Sequence, residues 1–247
     1  MNTRVDGPAM HTDRARRPDL TNETALFRRG VHTCGGMDEV GRGSLAGPVS
    51  VGLVVIVPEV SAIPTGLADS KLLTPGAREK LVPAIRSWAA AWAVGHATAA
   101  EIDRYGILIA LRLAGQRAYA ALEIKPERII LDGNHNWLTR QRTLPGLTSA
   151  DEDPLHIPCA VYTQTKGDLK IASVAAASVL AKVERDHLMM EMAQSYPGYG
   201  WERNVGYSTS AHRRAITKLG PCAEHRRSWR PFRPPEPTCT AQQPATP

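Results

Sequence analysis

Residues 36–48 place two adjacent carboxylates and a glycine-rich turn between two apolar runs, and this stretch constrains the fold most. It reads Gly-Met-Asp-Glu-Val-Gly-Arg-Gly-Ser-Leu-Ala-Gly-Pro. Strand-forming residues lie on both sides, from His32 to Glu39 and from Val49 to Val57. That order of residues predicts a strand, a sharp turn and a returning strand. The chain is therefore expected to contain a sheet with acid at the end of one strand.

Asp38 and Glu39 are consecutive, and successive side chains of a regular strand point to opposite faces. One carboxylate is expected on the sheet face, while the other reaches round the end of the strand. The glycines that flank Arg42 allow the main chain to approach a ligand closely, with N–H groups free to meet phosphate or hydroxyl. The alternative is a polar turn with one surface pair between an arginine and a carboxylate.

Composition limits the class of protein. The chain has 247 residues, of which 43% are hydrophobic, enough for one large domain or one domain with a small appendage. No apolar run is long enough to span a membrane and no secretory signal is visible, so a cytoplasmic protein without a membrane partner is expected. Cys34, Cys159, Cys222 and Cys239 are scattered, which favours neither a zinc ribbon nor a redox motif. The net charge of +6 suits a polyanionic partner.

The order of apolar patterns predicts a mixed α/β sheet flanked by helices, followed by a helical C-terminal extension. The expected division is a disordered basic arm over 1–20, a main domain over 21–196, a helical region over 197–224 and a disordered Arg- and Pro-rich tail over 225–247. Residues 136–158 are interpreted as an exposed insertion. Ser210 is a plausible N-cap of the last helix, and Thr209 and His212 are expected to act as capping residues rather than in catalysis.

Acid stands at the end of three apolar runs: Asp38 with Glu39, Asp132 and Asp168. Isolated carboxylates resist burial, and several in one cleft repel each other. A hard dication removes that repulsion, and ligands that are all oxygen select Mg²⁺ or Mn²⁺ over zinc. Two such ions about 3.5–4 Å apart suit in-line attack on a phosphodiester.

Each of these residues also has an ordinary structural interpretation. Asp168 would cap the helix that follows it, Asp132 would be a turn residue, and Asp69 in Asp-Ser-Lys would form a turn. Tyr207 would lie at the edge of a core, and Lys166 would be solvated at the surface. The eight histidines show no ligand spacing, so a zinc site is not expected.

Taken in order, six segments resemble ribonuclease HII, the bacterial type 2 ribonuclease H. Together they span about residues 32–220, and their specificity comes from their order. The segments are 37–48, Asp69-Ser-Lys-Leu-Leu73, Leu131-Asp-Gly-Asn134, Lys166-Gly-Asp168, 175–186 and Gly206-Tyr-Ser-Thr-Ser-Ala-His212.

The resemblance implies an RNase H-like fold and a site for two Mg²⁺ or Mn²⁺ ions, held with substrate. The implied metal ligands and catalytic residues are Asp38, Glu39, Asp132 and Asp168. The turn of Gly41, Arg42 and Gly43 would contact the ribonucleotide 2′-hydroxyl, and Tyr207 would pack on the sugar at an RNA–DNA junction. Candidates for phosphate contact, or for support of the ligands from behind, are Lys71, Lys166, Lys182 and Arg185.

The implied function is endonucleolytic cleavage of the RNA strand of RNA–DNA hybrids and of single ribonucleotides in duplex DNA. The cut would lie 5′ to the ribonucleotide and leave a 3′-hydroxyl and a 5′-phosphate, with roles in ribonucleotide removal, as DNA repair, and in primer processing. A monomer is expected. The chain departs from the family in a longer segment between Asp132 and Lys166 and in its basic termini. Two alternatives remain: a non-catalytic nucleic-acid-binding module, and another two-metal nuclease or transposase-like enzyme.

Overall fold

The computed structural model describes residues 17–139 and 157–229. The five strands are β1 (Cys34–Val40), β2 (Val49–Ile56), β3 (Ala91–Ala97), β4 (Arg128–Asp132) and β5 (Ala160–Gln164). The helices are α1 (Thr21–Phe27), α2 (Pro75–Trp88), α3 (Ala99–Tyr105), α4 (Ile107–Ala121), α5 (Ala172–Ser195), α6 (Trp201–Asn204) and α7 (Ser210–Leu219). Across both described ranges, no helix combines the length and the apolar character needed to cross a membrane.

The strands form one mixed sheet in the order β3-β2-β1-β4-β5. β1 and β2 pair antiparallel, with Asp38 opposite Gly52, so the predicted strand, turn and returning strand are confirmed. β1 and β4 run parallel, with Met37 beside Leu131. Since each acid follows the paired residue directly, Asp38 and Asp132 lie side by side at the same edge of the sheet.

Helix α5 lies directly against one face of this sheet, because two glycines leave no side chain between them. A Cβ on Gly36 would lie 2.2 Å from the carbonyl carbon of Ser173, and one on Gly52 would lie 2.3 Å from the Ala177 carbonyl oxygen. The first three turns of α5 are almost continuously buried. These contacts fix the distance between the helix axis and the sheet. They place Ser178 and Lys182 beside the end of β1.

Helices α3 and α4 cover the opposite face and complete a three-layer α/β structure. α3 begins with a capping box in which Thr98 and Glu101 satisfy each other's backbone amides. On the other side of the sheet, α2 begins at Thr74 and Pro75 as predicted, and the Thr74 side chain accepts from the Ala77 amide.

The prediction of an exposed insertion over 136–158 is wrong at both ends of that segment. Trp137, Leu138 and Ile157 are buried and pack in the core beneath α4. Gly115 of α4 provides the space, because a Cβ there would lie 2.6 Å from Leu138. Polar residues dominated the local composition and masked these apolar anchors. Residues 140–156 lie outside the described residues.

The prediction of a disordered tail from residue 225 is also wrong for residues 225–229. His225 bridges to Ala46, and both His225 and Arg226 are fully buried. The Arg- and Pro-rich composition suggested disorder, but the Arg226 side chain donates to carbonyls of the 41–48 loop, and the His225 ring bonds Cys222 and His212. Residues 1–16 and 230–247 lie outside the described residues.

Two smaller boundaries also differ. Residues 17–20 belong to the folded part, since Asp19 bridges to Ile171, so the predicted arm over 1–20 ends too late. The N-cap of α7 is Thr209, whose hydroxyl accepts from the His212 amide, and Ser210 is already helical. A Thr and a Ser in succession offer two caps, and only the backbone conformation distinguishes them.

Candidate active site

A cavity of about 280 Å³ opens where β1 and β4 end. It lies between the loop after β1, the turn before α2 and the middle of α5. Its lining is mostly polar and charged. The lining residues are Asp38, Glu39, Val40, Gly41, Arg42, Gly43, Ser70, Lys71, Arg78, Asp132, Ser178, Lys182 and Tyr207.

Asp38 and Glu39 both line this cavity. Asp38 is only 4% exposed, and burial raises the pKa of its carboxyl to about 8, assisted by the charges of Glu39 and Asp132 and opposed by a hydrogen bond from Ser178. Burial likewise raises the pKa of Glu39, which pairs with Arg42 at 3.3 Å. β1 continues through Glu39, which pairs with Val51, to Val40, and both carboxylates line the cavity from within the strand.

Asp132 and Asp168 are joined through one backbone amide. The amide of Gly167 donates to Oδ1 of Asp132 at 2.7 Å, which brings the turn after β5 against the end of β4. Burial and the charge of Asp168 raise the pKa of Asp132. Asp168 is buried in the short 3-10 turn Gly167–Leu169 and does not cap α5, whose N-cap is Ile171.

Lys71 is the cation that faces this group of acids. Its Nζ lies 2.8 Å from Asp168 Oδ2 and 3.5 Å from Asp69 Oδ1. Desolvation lowers the pKa of Lys71, but the hydrogen bond to Asp168 and the charges of Asp168, Asp38 and Asp69 outweigh it and raise the pKa above its usual value. Within residues 17–139 and 157–229, no three His, Cys, Asp or Glu side chains are grouped closely enough to hold an ion by themselves.

The glycine–arginine–glycine turn forms one wall of the cavity. Gly41 has φ +78°, and a Cβ there would lie 2.0 Å from the Arg185 guanidinium, so only glycine fits. A Cβ on Gly43 would meet open space, and Arg42 and Gly43 are exposed. The turn therefore offers main chain to the cavity, while its back is packed against buried arginine.

Tyr207 also lines the cavity. Its ring centroid is 5.5 Å from Lys182 Nζ and 5.4 Å from Arg185 Cζ. The loop that carries it is tied to the 41–48 loop, because the amides of Leu45 and Ala46 both donate to the Gly206 carbonyl. The tyrosine and the glycine–arginine–glycine turn are thus held as one unit.

Of the four predicted basic residues, the structure places two in the cavity wall. Lys71 and Lys182 line it, and Lys182 also pairs with Asp186 at 2.7 Å. Lys166 is exposed and lies outside the cavity lining. Arg185 is fully buried, so it supports the site from behind and does not reach a phosphate.

Sequence reasoning missed three polar residues that line the cavity. Ser70 and Ser178 share a hydrogen bond with 2.8 Å between their hydroxyl oxygens, and Ser178 also bonds Asp38. Arg78 donates to the Ser70 carbonyl at 3.2 Å. The available signal was a serine within the otherwise apolar stretch of α5, since such a residue needs a polar partner when buried.

The chain is similar to known proteins of one family. The family model described as Ribonuclease HII matches residues 35–231. The chain is 45% identical over 214 residues to Ribonuclease HII of Ruegeria sp. (strain TM1040), covering 87% of this chain and 85% of that protein. It is 46% identical over 198 residues to Ribonuclease HII of Nitrosococcus oceani, covering 80% and 89%. The crystal structure of ribonuclease H2 from Pyrococcus horikoshii OT3 matches with a TM-score of 0.60 and 28% identity, covering 81% and 95%.

Proposed function

The chain belongs to the ribonuclease HII family, and from that premise we propose that it nicks duplex DNA at single embedded ribonucleotides as well as cutting RNA–DNA hybrids. Membership establishes the enzyme class, a ribonuclease H acting on hybrids. The observation that carries the finer proposal is the arrangement around the cavity. Asp38, Glu39 and Asp132 line it together with the exposed main chain of residues 41–43 and Tyr207, and Lys71, which also lines it, bonds the buried Asp168. The proposed cut lies 5′ to the ribonucleotide and leaves a 3′-hydroxyl and a 5′-phosphate.

The donor set supports two divalent ions, Mg²⁺ or Mn²⁺, held by Asp38, Glu39, Asp132 and Asp168. These are oxygen ligands only. Burial, and then the charges of neighbouring acids, raise the pKa values of Asp38, Glu39 and Asp132. Mg²⁺ usually takes one or two carboxylates and completes its shell with water and substrate phosphate. That preference agrees with acids that gather round a cavity without closing into a cage. When bound, such ions supply the charge that activates water and stabilises a leaving oxygen.

The chain's own residues hold the substrate. The amides of Arg42 and Gly43 face outward, and a 2′-hydroxyl is the group that distinguishes RNA from DNA at one nucleotide. Main-chain contacts would read this hydroxyl without reading the base. Tyr207 would supply an apolar face for the sugar beyond the junction, and its cationic neighbour Lys182 would contact the adjoining phosphate.

The test is a duplex with one ribonucleotide, incubated with the protein and Mg²⁺ beside an identical all-DNA duplex. We expect one nick, 5′ to the ribonucleotide, and no cut in the control. Binding to both duplexes without nicking would favour the non-catalytic binding module. Equal cutting of both would favour another two-metal nuclease.

A further inference from the structure

Arg226 reaches from the C-terminal segment into the back of the glycine–arginine–glycine turn. Its guanidinium donates to four main-chain carbonyls of one loop: Gly41 at 2.7 Å, Arg42 at 2.9 Å, Pro48 at 3.0 Å and Gly47 at 3.1 Å. The side chain is fully buried. One residue thus ties both ends of the loop to a single rigid, planar group.

These bonds determine where the amides of the turn point. In a trans peptide the C=O of one residue and the N–H of the next point in opposite directions. With the Gly41 and Arg42 carbonyls turned to the buried guanidinium, the N–H groups of Arg42 and Gly43 point to the exposed side, where both residues line the cavity. Among the described residues, none accepts a hydrogen bond from either amide.

Arg185 performs the same task for the rest of the loop. It donates to the carbonyls of Pro48, Ala46 and Val205 and to the Ser44 hydroxyl. Pro48 accepts from both arginines, so the two guanidiniums share one carbonyl. The two cations lie close enough that burial and the charge of Arg185 lower the pKa of Arg226 to about 9.

This arrangement is expensive for stability alone. A buried charge normally has an ionic partner, yet no carboxylate of residues 17–139 and 157–229 lies within ion-pair distance of Arg185 or Arg226. An apolar side chain of similar size would fill the space at lower cost. What the guanidiniums provide, and an apolar residue would not, is a fixed direction for each peptide of the loop.

We propose that Arg226 is a positioning residue for sugar discrimination: by holding the Gly41 and Arg42 carbonyls, it aims the Arg42 and Gly43 amides at the ribonucleotide 2′-hydroxyl. This inference rests on the proposed function. It assigns the segment at 225–229, which the composition suggested was a tail, to the part of the site that distinguishes RNA from DNA.

The experiment compares binding preferences in the full-length protein. Dissociation constants are measured without divalent ions, so that nothing is cut, for a duplex with one ribonucleotide and for the same all-DNA duplex. The ratio of the two constants is independent of the fraction of protein that is folded, so a purely structural role would leave it unchanged. The variant is Arg226→Lys, which keeps the charge but cannot reach four carbonyls. The control is Arg227→Lys, at the exposed adjacent position.

We expect Arg226→Lys to bring the ratio close to one and to reduce kcat/KM with Mg²⁺ by about 100-fold, the cost of roughly 1 Å of misplacement. Arg227→Lys should match the wild type. A folded Arg226→Lys protein with the wild-type ratio overturns the inference, as does selective nicking by a wild type without any binding preference. Failure of the wild type to nick at all overturns the proposed function itself.

A second variant covers the case in which Arg226→Lys does not fold. Asp103 in α3 anchors the same segment by accepting from the amides of Arg227 and Ser228 at 2.8 and 3.0 Å. Asp103→Ala keeps Arg226 but loosens its support, and a lower ratio is expected. An unchanged ratio in this variant overturns the proposal.

Discussion

The ammonium of Lys71 lies 2.8 Å from Asp168 and faces the same cavity as Asp38 and Asp132. A lysine in this position supplies one of the positive charges that the four acids need. Divalent ions would supply the same charge in greater amount. Lys71 and the ions therefore both neutralise the negative charge of the same acids.

We predict that Lys71→Met lowers the stability of the metal-free protein, by about 0.5–1 kcal/mol because the lysine is largely exposed. Mg²⁺ should then stabilise the variant more than it stabilises the wild type. Thermal unfolding with a chelator and with saturating Mg²⁺ measures both. Lys80→Met, at an exposed position of α2, is the control. Equal Mg²⁺ shifts in Lys71→Met and wild type would show that Lys71 has no part in the charge balance.

Asp132→Asn should abolish cleavage while duplex binding survives. The amide keeps the acceptor for the Gly167 amide but removes the charge. The rate should fall by more than about 100-fold, the upper range for losing a group that only supports a metal ligand. Cleavage assays and binding to a ribonucleotide-containing duplex measure the two effects, with the exposed Glu79→Gln as control. Loss of the folded circular dichroism spectrum would indicate a structural role instead.

Tyr207→Ala should weaken the preference for an RNA–DNA junction more than it weakens binding overall. Its ring lies against two cations and lines the cavity, so its loss removes an apolar face for the sugar. The expected cost is about 1–2 kcal/mol, or roughly 5- to 30-fold in preference. Competition between junction and non-junction duplexes measures it, and Tyr207→Phe should retain the preference. The assignment of Tyr207 fails if the alanine variant keeps it too.

A buried pair of histidines links the C-terminal segment to the loop of Tyr207. The Trp201 indole donates to His212 Nε2 at 2.9 Å, and the Cys222 amide donates to His225 Nδ1 at 3.1 Å. Because each ring nitrogen that accepts one of these bonds carries no proton, both rings are neutral. The His225 proton is then on Nε2, which lies 3.3 Å from His212 Nε2. The His212 proton is on Nδ1, which donates to the Tyr207 carbonyl.

Burial, and then the neighbouring His212, lower the pKa of His225 from 6.5 to about 4. A base with a depressed pKa in the folded state contributes stability above its unfolded pKa and loses it as the pH falls. We predict that, because of this pair, the free energy of unfolding falls by about 2 kcal/mol when the pH is lowered from 7 to 5. Denaturant unfolding at both values measures it. His225→Gln should be less stable at pH 7 but should show a smaller loss on acidification; an equal loss would exclude His225 as the source.

Glu23 is fully buried, and its Oε2 has no partner among the described residues. Its Oε1 accepts from the amide and hydroxyl of Ser173. Burial raises the pKa of this carboxyl, so its contribution to stability is complete below the unfolded pKa and is lost as the pH rises through the folded pKa. Glu23→Gln should therefore be more stable at pH 8, by about 1–2 kcal/mol, with little change at pH 5. The exposed Glu127→Gln is the control, and a variant destabilised at pH 8 would contradict the prediction.

Much of the fold and the acids of the site could be predicted from local patterns. Each of Asp38, Asp132 and Asp168 ends a short apolar run or opens the next element, and such runs mark strands whatever surrounds them. Thr74 with Pro75 marked the start of α2 for the same reason, because capping depends on neighbours in the chain.

The features that sequence reasoning missed depend on contacts between distant segments. Arg226 is 178 residues from Pro48, and nothing near it in the chain signals a buried loop of carbonyls. Trp137 and Leu138 lie in a polar stretch, and nothing in that stretch shows that they pack against Gly115 of another element. Arg185 was expected either to contact phosphate or to support the ligands, and its bonds to Pro48 and Ser44 of a loop distant in sequence decide for support.

The bare contact of α5 with Gly36 and Gly52 has a consequence for how this enzyme can diversify. Ser178 and Lys182 lie on the helix and Asp38 lies on the strand. At Gly36 and Gly52 no side chain separates the helix from the sheet, so no substitution by a smaller side chain there can change the distance between them. Exchanging core residues cannot widen or narrow the gap that separates them. New substrate ranges must therefore arise from the loops at the rim, while the spacing of the reactive groups is inherited unchanged.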